Sequence, residues 1–85
     1  MKSSIVVYTA AGCGFCKKQK EWLAKYSIEY EEKDVEIEEF RQELLARKAL
    51  GVPYTVINIE GEPNEVTVAG FNVNKLESFL LEDQG

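Results

Sequence analysis

An α/β domain with a mixed four-stranded sheet flanked by helices, in the order β-α-β-α-β-β-α, is what the 85-residue sequence predicts. Three observations lead there. The run Ser4 to Thr9 is rich in β-branched residues and reads as a strand buried on both faces. Three other segments carry apolar residues at helical spacing. Two further strand-like runs, Tyr54 to Ile59 and Val66 to Ala69, are separated by Glu60-Gly61-Glu62-Pro63-Asn64, which has hairpin-turn chemistry.

Each element follows in order. In the first helix, Phe15 to Tyr26, the expected stripe is Phe15, Trp22, Leu23 and Tyr26. Ile28, Tyr30 and Glu32 alternate with Glu29 and Glu31, the pattern of a strand with one wetter face at a sheet edge. The second helix is expected from about Glu36 to Ala49, with the stripe Ile37, Phe40, Leu44 and Leu45 and with acidic residues in its first turn, where the helix dipole favours them. Gly51 is the expected stop, and Pro53 cannot continue a helix. Gly70 breaks the fourth strand and Asn72 can cap a last helix whose apolar face is Val73, Leu76, Phe79 and Leu80. The tail Glu82-Asp83-Gln84-Gly85 is expected to fray. The first β-α-β unit should be a right-handed parallel crossover, and the short hairpin makes the last two strands antiparallel.

Size and charge narrow the function classes. Residues 1–85 suit one domain with a single core. No segment approaches the roughly 20 apolar residues of a membrane span, so no membrane partner is expected. The net charge of −5 argues against nucleic acid, whose phosphates need clustered lysine and arginine. Met1-Lys2-Ser3-Ser4 runs straight into a strand without a signal-peptide core, and there are only two cysteines. A reducing cytoplasmic setting is the expectation.

Both cysteines lie in Gly12-Cys13-Gly14-Phe15-Cys16, between the first strand and the first helix. Cys-x-x-Cys in that context reads as a redox motif. At a helix start, unpaired backbone N–H groups and the dipole favour an anion, and the thiolate is the reactive form of cysteine. Cys13 is therefore the expected attacking thiol, with Cys16 a turn later and more buried as the resolving one. Gly12 and Gly14 put no side chain over the sulfur, and Lys17 and Lys18 add positive charge. A self-contained zinc site is disfavoured because there is no histidine and no third cysteine, though a site shared across a dimer stays open. A purely structural disulfide closing so short a ring contributes only about 2 kcal/mol.

Three pieces in order carry a family resemblance: Cys13-Gly14-Phe15-Cys16 after strand 1, Gly51-Val52-Pro53-Tyr54 before strand 3, and Gly70-Phe71-Asn72 before the last helix. Together they resemble a glutaredoxin, within the thioredoxin-fold superfamily, over nearly the whole chain. The resemblance implies a thioredoxin-like fold and thiol-disulfide oxidoreductase activity, hence roles in electron transport and cell redox homeostasis. It implies that Pro53 is cis beside the sulfurs, and that Val52 offers backbone groups to an incoming peptide or glutathione in the manner of an added strand. Gly14, Phe15, Val52, Pro53, Gly70, Phe71 and Asn72 are then the candidate substrate-binding residues, with Cys13 and Cys16 catalytic and no metal ligands. The plainer reading of Pro53 is a helix stop.

Two departures from the family pattern bear on glutathione. Ala10 and Ala11 stand where many glutaredoxins have a lysine, and Gly70-Phe71-Asn72-Val73-Asn74 replaces a Gly-Gly-x-Asp or Gly-Cys-x-Asp segment. Gly-Phe followed by a polar residue also resembles the redoxins that serve ribonucleotide reductase and are themselves reduced by thioredoxin reductase. The expected partners are a disulfide-containing protein substrate and either glutathione or thioredoxin reductase as reductant, with the chain a monomer. No bound cofactor is expected, and glutathione would act as co-substrate. An alternative from another class is a dimeric glutathione-dependent [2Fe–2S] carrier, which glycine at 14 permits. Lys17, Lys18 and Lys48 can meet a glutathione carboxylate or simply aid solubility. Tyr8 and Tyr54 can line the sulfur site or pack, and Phe15 can contact substrate or tuck under its helix. The acidic run from Glu29 to Glu39 reads first as a solvated face.

Overall fold

Strand β1 (Ser3–Thr9) is covered on both faces, because its side chains alternate and both sets are apolar. The computed structural model describes residues 3–81; the tail from Glu82 to Gly85, expected to fray, lies outside them. Strand β1 pairs in parallel with β2 (Glu31–Asp34), Val6 standing opposite Glu31. On its other side it pairs antiparallel with β3 (Tyr54–Ile59), Tyr8 opposite Tyr54. Strand β4 (Val66–Ala69) pairs antiparallel with β3 and completes the order β2-β1-β3-β4. The observed sequence of elements and the mixed sheet are the predicted ones.

Helices α1 (Gly14–Lys25) and α3 (Val73–Leu80) cover one face of the sheet, and α2 (Glu38–Ala46) the other. Ile5 and Val7 of β1 join Ile57, Val68, Leu23 and Leu76 in one buried cluster. Tyr8 on the opposite side of β1 joins Val56 and Leu44 in a second, with Val6, Val52 and Tyr54 packed against it. The Tyr8 hydroxyl donates to Glu43 Oε1 at 2.9 Å. Burial, and then this carboxylate, raise the Tyr8 pKa above its ordinary value.

The helix faces differ from the expected stripes. In α1 the buried residues are Cys16, Gln19 and Leu23, whereas Phe15 is 62% exposed and Tyr26 is also exposed. The buried face runs through positions 16, 19 and 23, and Phe15 stands about a fifth of a turn off its centre, at the open end of the helix. In α2 only Leu44 is fully buried; Ile37 is the N-cap residue and, like Leu45, is exposed. Strand β2 begins at Glu31, later than the expected alternation, and Ile28 and Tyr30 pack on the core from the connection before it.

The ends of α1 and α2 are closed by backbone. After α1, Ser27 adopts φ +57°, Ser27 N–H donates to Ala24 O at 3.0 Å and Ile28 N–H to Leu23 O at 2.9 Å. After α2, Lys48 adopts φ +60°, Lys48 N–H donates to Leu45 O at 2.9 Å and Ala49 N–H to Leu44 O at 3.4 Å. This is the paired bond pattern of a Schellman stop, built without glycine. Helix α2 therefore ends at Ala46, well before Gly51. The Asn72 side chain caps α3, accepting from Lys75 N–H at 3.2 Å.

Leu23 is fully buried between α1 and the sheet, so Leu23→Ala should destabilise the fold by about 2–5 kcal/mol. The expected result is a lower urea midpoint with an unchanged slope; an unchanged midpoint would contradict this packing.

Candidate active site

Antiparallel pairing of β1 with β3 brings the end of one strand beside the start of the other, Tyr8 facing Tyr54. The loops that follow Thr9 and precede Tyr54 therefore meet at one end of the sheet. Between Thr9 and α1 the chain turns at Gly12, whose φ of +78° is the left-handed conformation that side-chain-bearing residues rarely adopt. Cys13 N–H donates to Ala10 O at 3.3 Å within that turn.

Cys13 is itself the N-cap of α1, with its sulfur in the place of a capping oxygen. The sulfur accepts from Cys16 N–H at 3.1 Å, and the Cys13 carbonyl accepts the helical bond from Lys17 N–H at 3.2 Å. Cys13 and Cys16 form a disulfide, with their Cα atoms 5.2 Å apart. Cys13 is partly exposed, while Cys16 is only 2% exposed. Among the described residues no group of three or more His, Cys, Asp or Glu side chains comes together.

The Val52–Pro53 peptide is cis. The Val52 carbonyl oxygen lies 3.9 Å from Cys13 Sγ, and Pro53 is buried. Gly70 N–H donates to Pro53 O at 2.8 Å, which ties the turn before α3 to the same corner. Of the residues singled out from sequence, Cys13, Cys16, Gly14, Val52, Pro53 and Gly70 thus collect around one point. Phe15 projects outward from the first turn of α1. Phe71 is half-buried and packs on the core, and the Asn72 side chain is engaged in capping α3. Tyr8 turns to the α2 face of the sheet, away from α1.

Two clefts flank the disulfide. One, of about 560 Å³, runs from Ala10 to Gly14 and is bounded by Cys16, Lys17 and Lys20. The other, of about 510 Å³, lies on the Val52 side between Lys48–Val52, Tyr54, Ala69 and Gly70, with Leu50 fully exposed at its edge. Lys20, at the edge of the first cleft, belongs to a polar cluster that the motif reading did not identify. Thr9 Oγ1 donates to Glu32 Oε2 at 2.7 Å, and Lys20 Nζ meets the same oxygen at 3.0 Å. The Thr9 hydroxyl, followed by Lys20, holds the Glu32 carboxyl below its usual pKa, and Glu32 in turn raises that of Lys20. Glu36 Oε2 accepts from Ala11 N–H at 3.2 Å and steadies the turn. The available sequence signal for Lys20 was its position four residues after Cys16, on the same side of the helix.

This arrangement places the chain among the thioredoxin-fold proteins with a disulfide-forming cysteine pair at a helix start. The narrower assignment comes from its relatives. A glutaredoxin family model matches residues 5–50, more than half of the chain, and the protein belongs to that family. A crystal structure of the thioredoxin-like protein BC3987 is 35% identical, with a TM-score of 0.70, over 88% of this chain and 97% of its own. A mutant of BC3987 is 34% identical with a TM-score of 0.73, covering 91% and 99%. The thioredoxin of Plasmodium falciparum shares the fold at 22% identity and a TM-score of 0.68, over 89% of this chain and 66% of that one. A search of curated proteins finds no match.

The depressed Glu32 pKa has a signed consequence. A carboxyl lowered on folding contributes stability that is fully present above its unfolded value of about 4.5 and is lost as pH falls through the lower folded value. Glu32→Gln should therefore flatten the loss of urea stability below pH ~4.5. Parallel acid limbs in the two proteins would show that the Thr9–Glu32–Lys20 contacts carry no net stability.

Proposed function

We propose that this protein is a dithiol reductant of protein disulfides, with Cys13 attacking and Cys16 resolving. Membership of the glutaredoxin family and a disulfide-capable Cys-x-x-Cys pair fit thiol oxidoreductase activity. The observation that carries the finer reading is the unequal setting of the two sulfurs: Cys13 caps α1 at the surface, and Cys16 is sealed behind it.

The chemistry follows from that placement. In the reduced protein the N–H groups and dipole at the start of α1 favour thiolate over thiol at Cys13. That thiolate attacks one sulfur of a substrate disulfide; the other substrate sulfur leaves as a thiolate and takes a proton from solvent. The mixed disulfide then sits against Val52, whose carbonyl lies beside Cys13 Sγ and whose backbone can pair with an extended segment. Cys16, deprotonated as it attacks, bonds to Cys13 Sγ and expels the second substrate thiolate. Two electrons have passed to the substrate, and the Cys13–Cys16 disulfide must be reset by an external dithiol or by glutathione. Glycine at 14 leaves open space above this point, since a Cβ there would meet nothing within 4 Å.

A protein substrate is favoured over a small glutathione disulfide on three grounds. Ala10 and Ala11 leave the loop before Cys13 without a cation, the Lys20 ammonium is paired with Glu32, and the Asn72 side chain is committed to its helix. The same grounds favour thioredoxin reductase over glutathione as the electron source. The reading places the protein in a reducing cytoplasm, where such a disulfide would be turned over.

Insulin reduction coupled to NADPH through thioredoxin reductase should proceed faster than the same assay coupled through glutathione and its reductase. Cys13→Ser should lower the rate by roughly a thousandfold or more. Cys16→Ser should instead accumulate a mixed disulfide through Cys13, visible by mass spectrometry. Absence of turnover with either reductant would sink the proposal, and faster turnover with glutathione would reverse the choice of reductant.

A further inference from the structure

Two polar side chains interrupt the otherwise apolar layer between α1 and the sheet. Gln19 and Thr55 are both 0% exposed. Gln19 Nε2 donates to Thr55 Oγ1 at 2.6 Å. The other end of the amide, Gln19 Oε1, is buried and finds no hydrogen-bond donor among the described residues. A buried carbonyl oxygen without a donor costs free energy that folding must offset elsewhere. Such a cost invites the question of which state of the protein satisfies the oxygen.

The neighbourhood supplies the answer. Gln19 follows Cys16 by three residues, and the two lie on the one buried face of α1 with Leu23. Long side chains on a helix lean towards its N-terminus, over the turn three or four residues back. For Gln19 that turn is the one carrying Cys16. Thr55 stands two residues after Pro53, near the start of β3. The Gln19–Thr55 bond thus pins the amide in the buried layer between α1 and β3, one helical turn from Cys16. In the disulfide Cys16 has no hydrogen to donate. Once the disulfide is opened it does, in a place sealed from water.

Resting on the dithiol reading above, we infer that Gln19 is a positioning residue for Cys16: its Oε1 accepts the hydrogen of the Cys16 thiol when the disulfide is open. A dithiol donor breaks the Cys13–Cys16 bond and is itself oxidised to a disulfide. Two electrons and two protons pass to the protein, and the proton on Cys16 satisfies the orphaned oxygen. Thr55 holds the amide by its nitrogen, which leaves the oxygen free for that thiol. The bond exists only in the open forms, including the mixed disulfide in which Cys13 is occupied. Gln19 therefore favours the reduced protein over the oxidised one.

Equilibration with dithiothreitol tests this on the intact chain. Gln19→Leu removes the acceptor, and the equilibrium constant for reduction should fall roughly fivefold, the worth of one buried hydrogen bond. At 29.6 mV per tenfold this is a potential about 20 mV more negative. In a Cys13→Ala background, where Cys16 is the sole thiol, its infrared S–H stretch should lie at the lower frequency of a hydrogen-bonded thiol. Adding Gln19→Leu should raise it to that of a free thiol. A Gln19 that merely fastens helix to sheet would lower the urea midpoint and leave both the constant and the band in place, which would overturn the inference. Should Gln19→Leu not fold, the band of the Cys13→Ala protein decides alone, and a free-thiol frequency there refutes the bond. Neither readout uses substrate turnover, so a protein inactive with both reductants would fail the functional reading while leaving this measurement intact.

Discussion

A strand that is apolar on both faces has to be covered twice, and that requirement on β1 organises the molecule. Ile5 and Val7 demand α1 and α3 on one side; Tyr8 demands α2 on the other. With β2 parallel and β3 antiparallel to it, β1 is internal, and its final residues face the first residues of β3. The cysteine loop and the Val52–Pro53 turn therefore meet because the core is closed in this way. Hydrophobic burial, the largest favourable term in folding, sets the address of the chemistry.

The finer geometry of the site depends on directional bonds. The Cys13 sulfur accepts Cys16 N–H, Gly70 N–H reaches Pro53 O, and Glu36 holds Ala11 N–H. These contacts tie three loops from different parts of the chain to one corner. Charges of both signs gather at that corner, where Glu32 pairs with Lys20 and Glu36 holds Ala11 N–H. The chain carries −5 overall, yet Lys17, Lys20 and Lys48 border the two clefts beside the sulfurs. Electrostatics at the mouth would thus select partners differently from electrostatics over the rest of the surface.

How much of this the sequence displayed depended on the kind of interaction involved. Strand periodicity, the hairpin and the Asn72 cap are local signals, and all four strands and three helices follow from them. The cysteine pair and the glycine-proline turn were legible as motifs whose order carried the family resemblance. The end of α2 was not, because Lys48 takes the left-handed position where glycine is the usual marker, ahead of the expected stop at Gly51. The stripe assigned to α1 failed at Phe15 for a related reason. Its apolar side chain counted towards a core face, although polar Gln19 holds that place through a partner 36 residues away. A pattern built on hydrophobicity cannot register a buried amide whose bond is made on another element. The Thr9–Glu32–Lys20 cluster was hidden in the same way, since three elements contribute one residue each.

The helix cap at Cys13 has a consequence for how the protein endures repeated oxidation and reduction. Its acceptor is a sulfur atom, and a sulfur atom remains there whichever partner it is bonded to. The ring that opens and closes spans a single turn, so no distant loop is tethered or released when it does. The disulfide can therefore open and close while the architecture stands still, like a latch moving in a fixed frame.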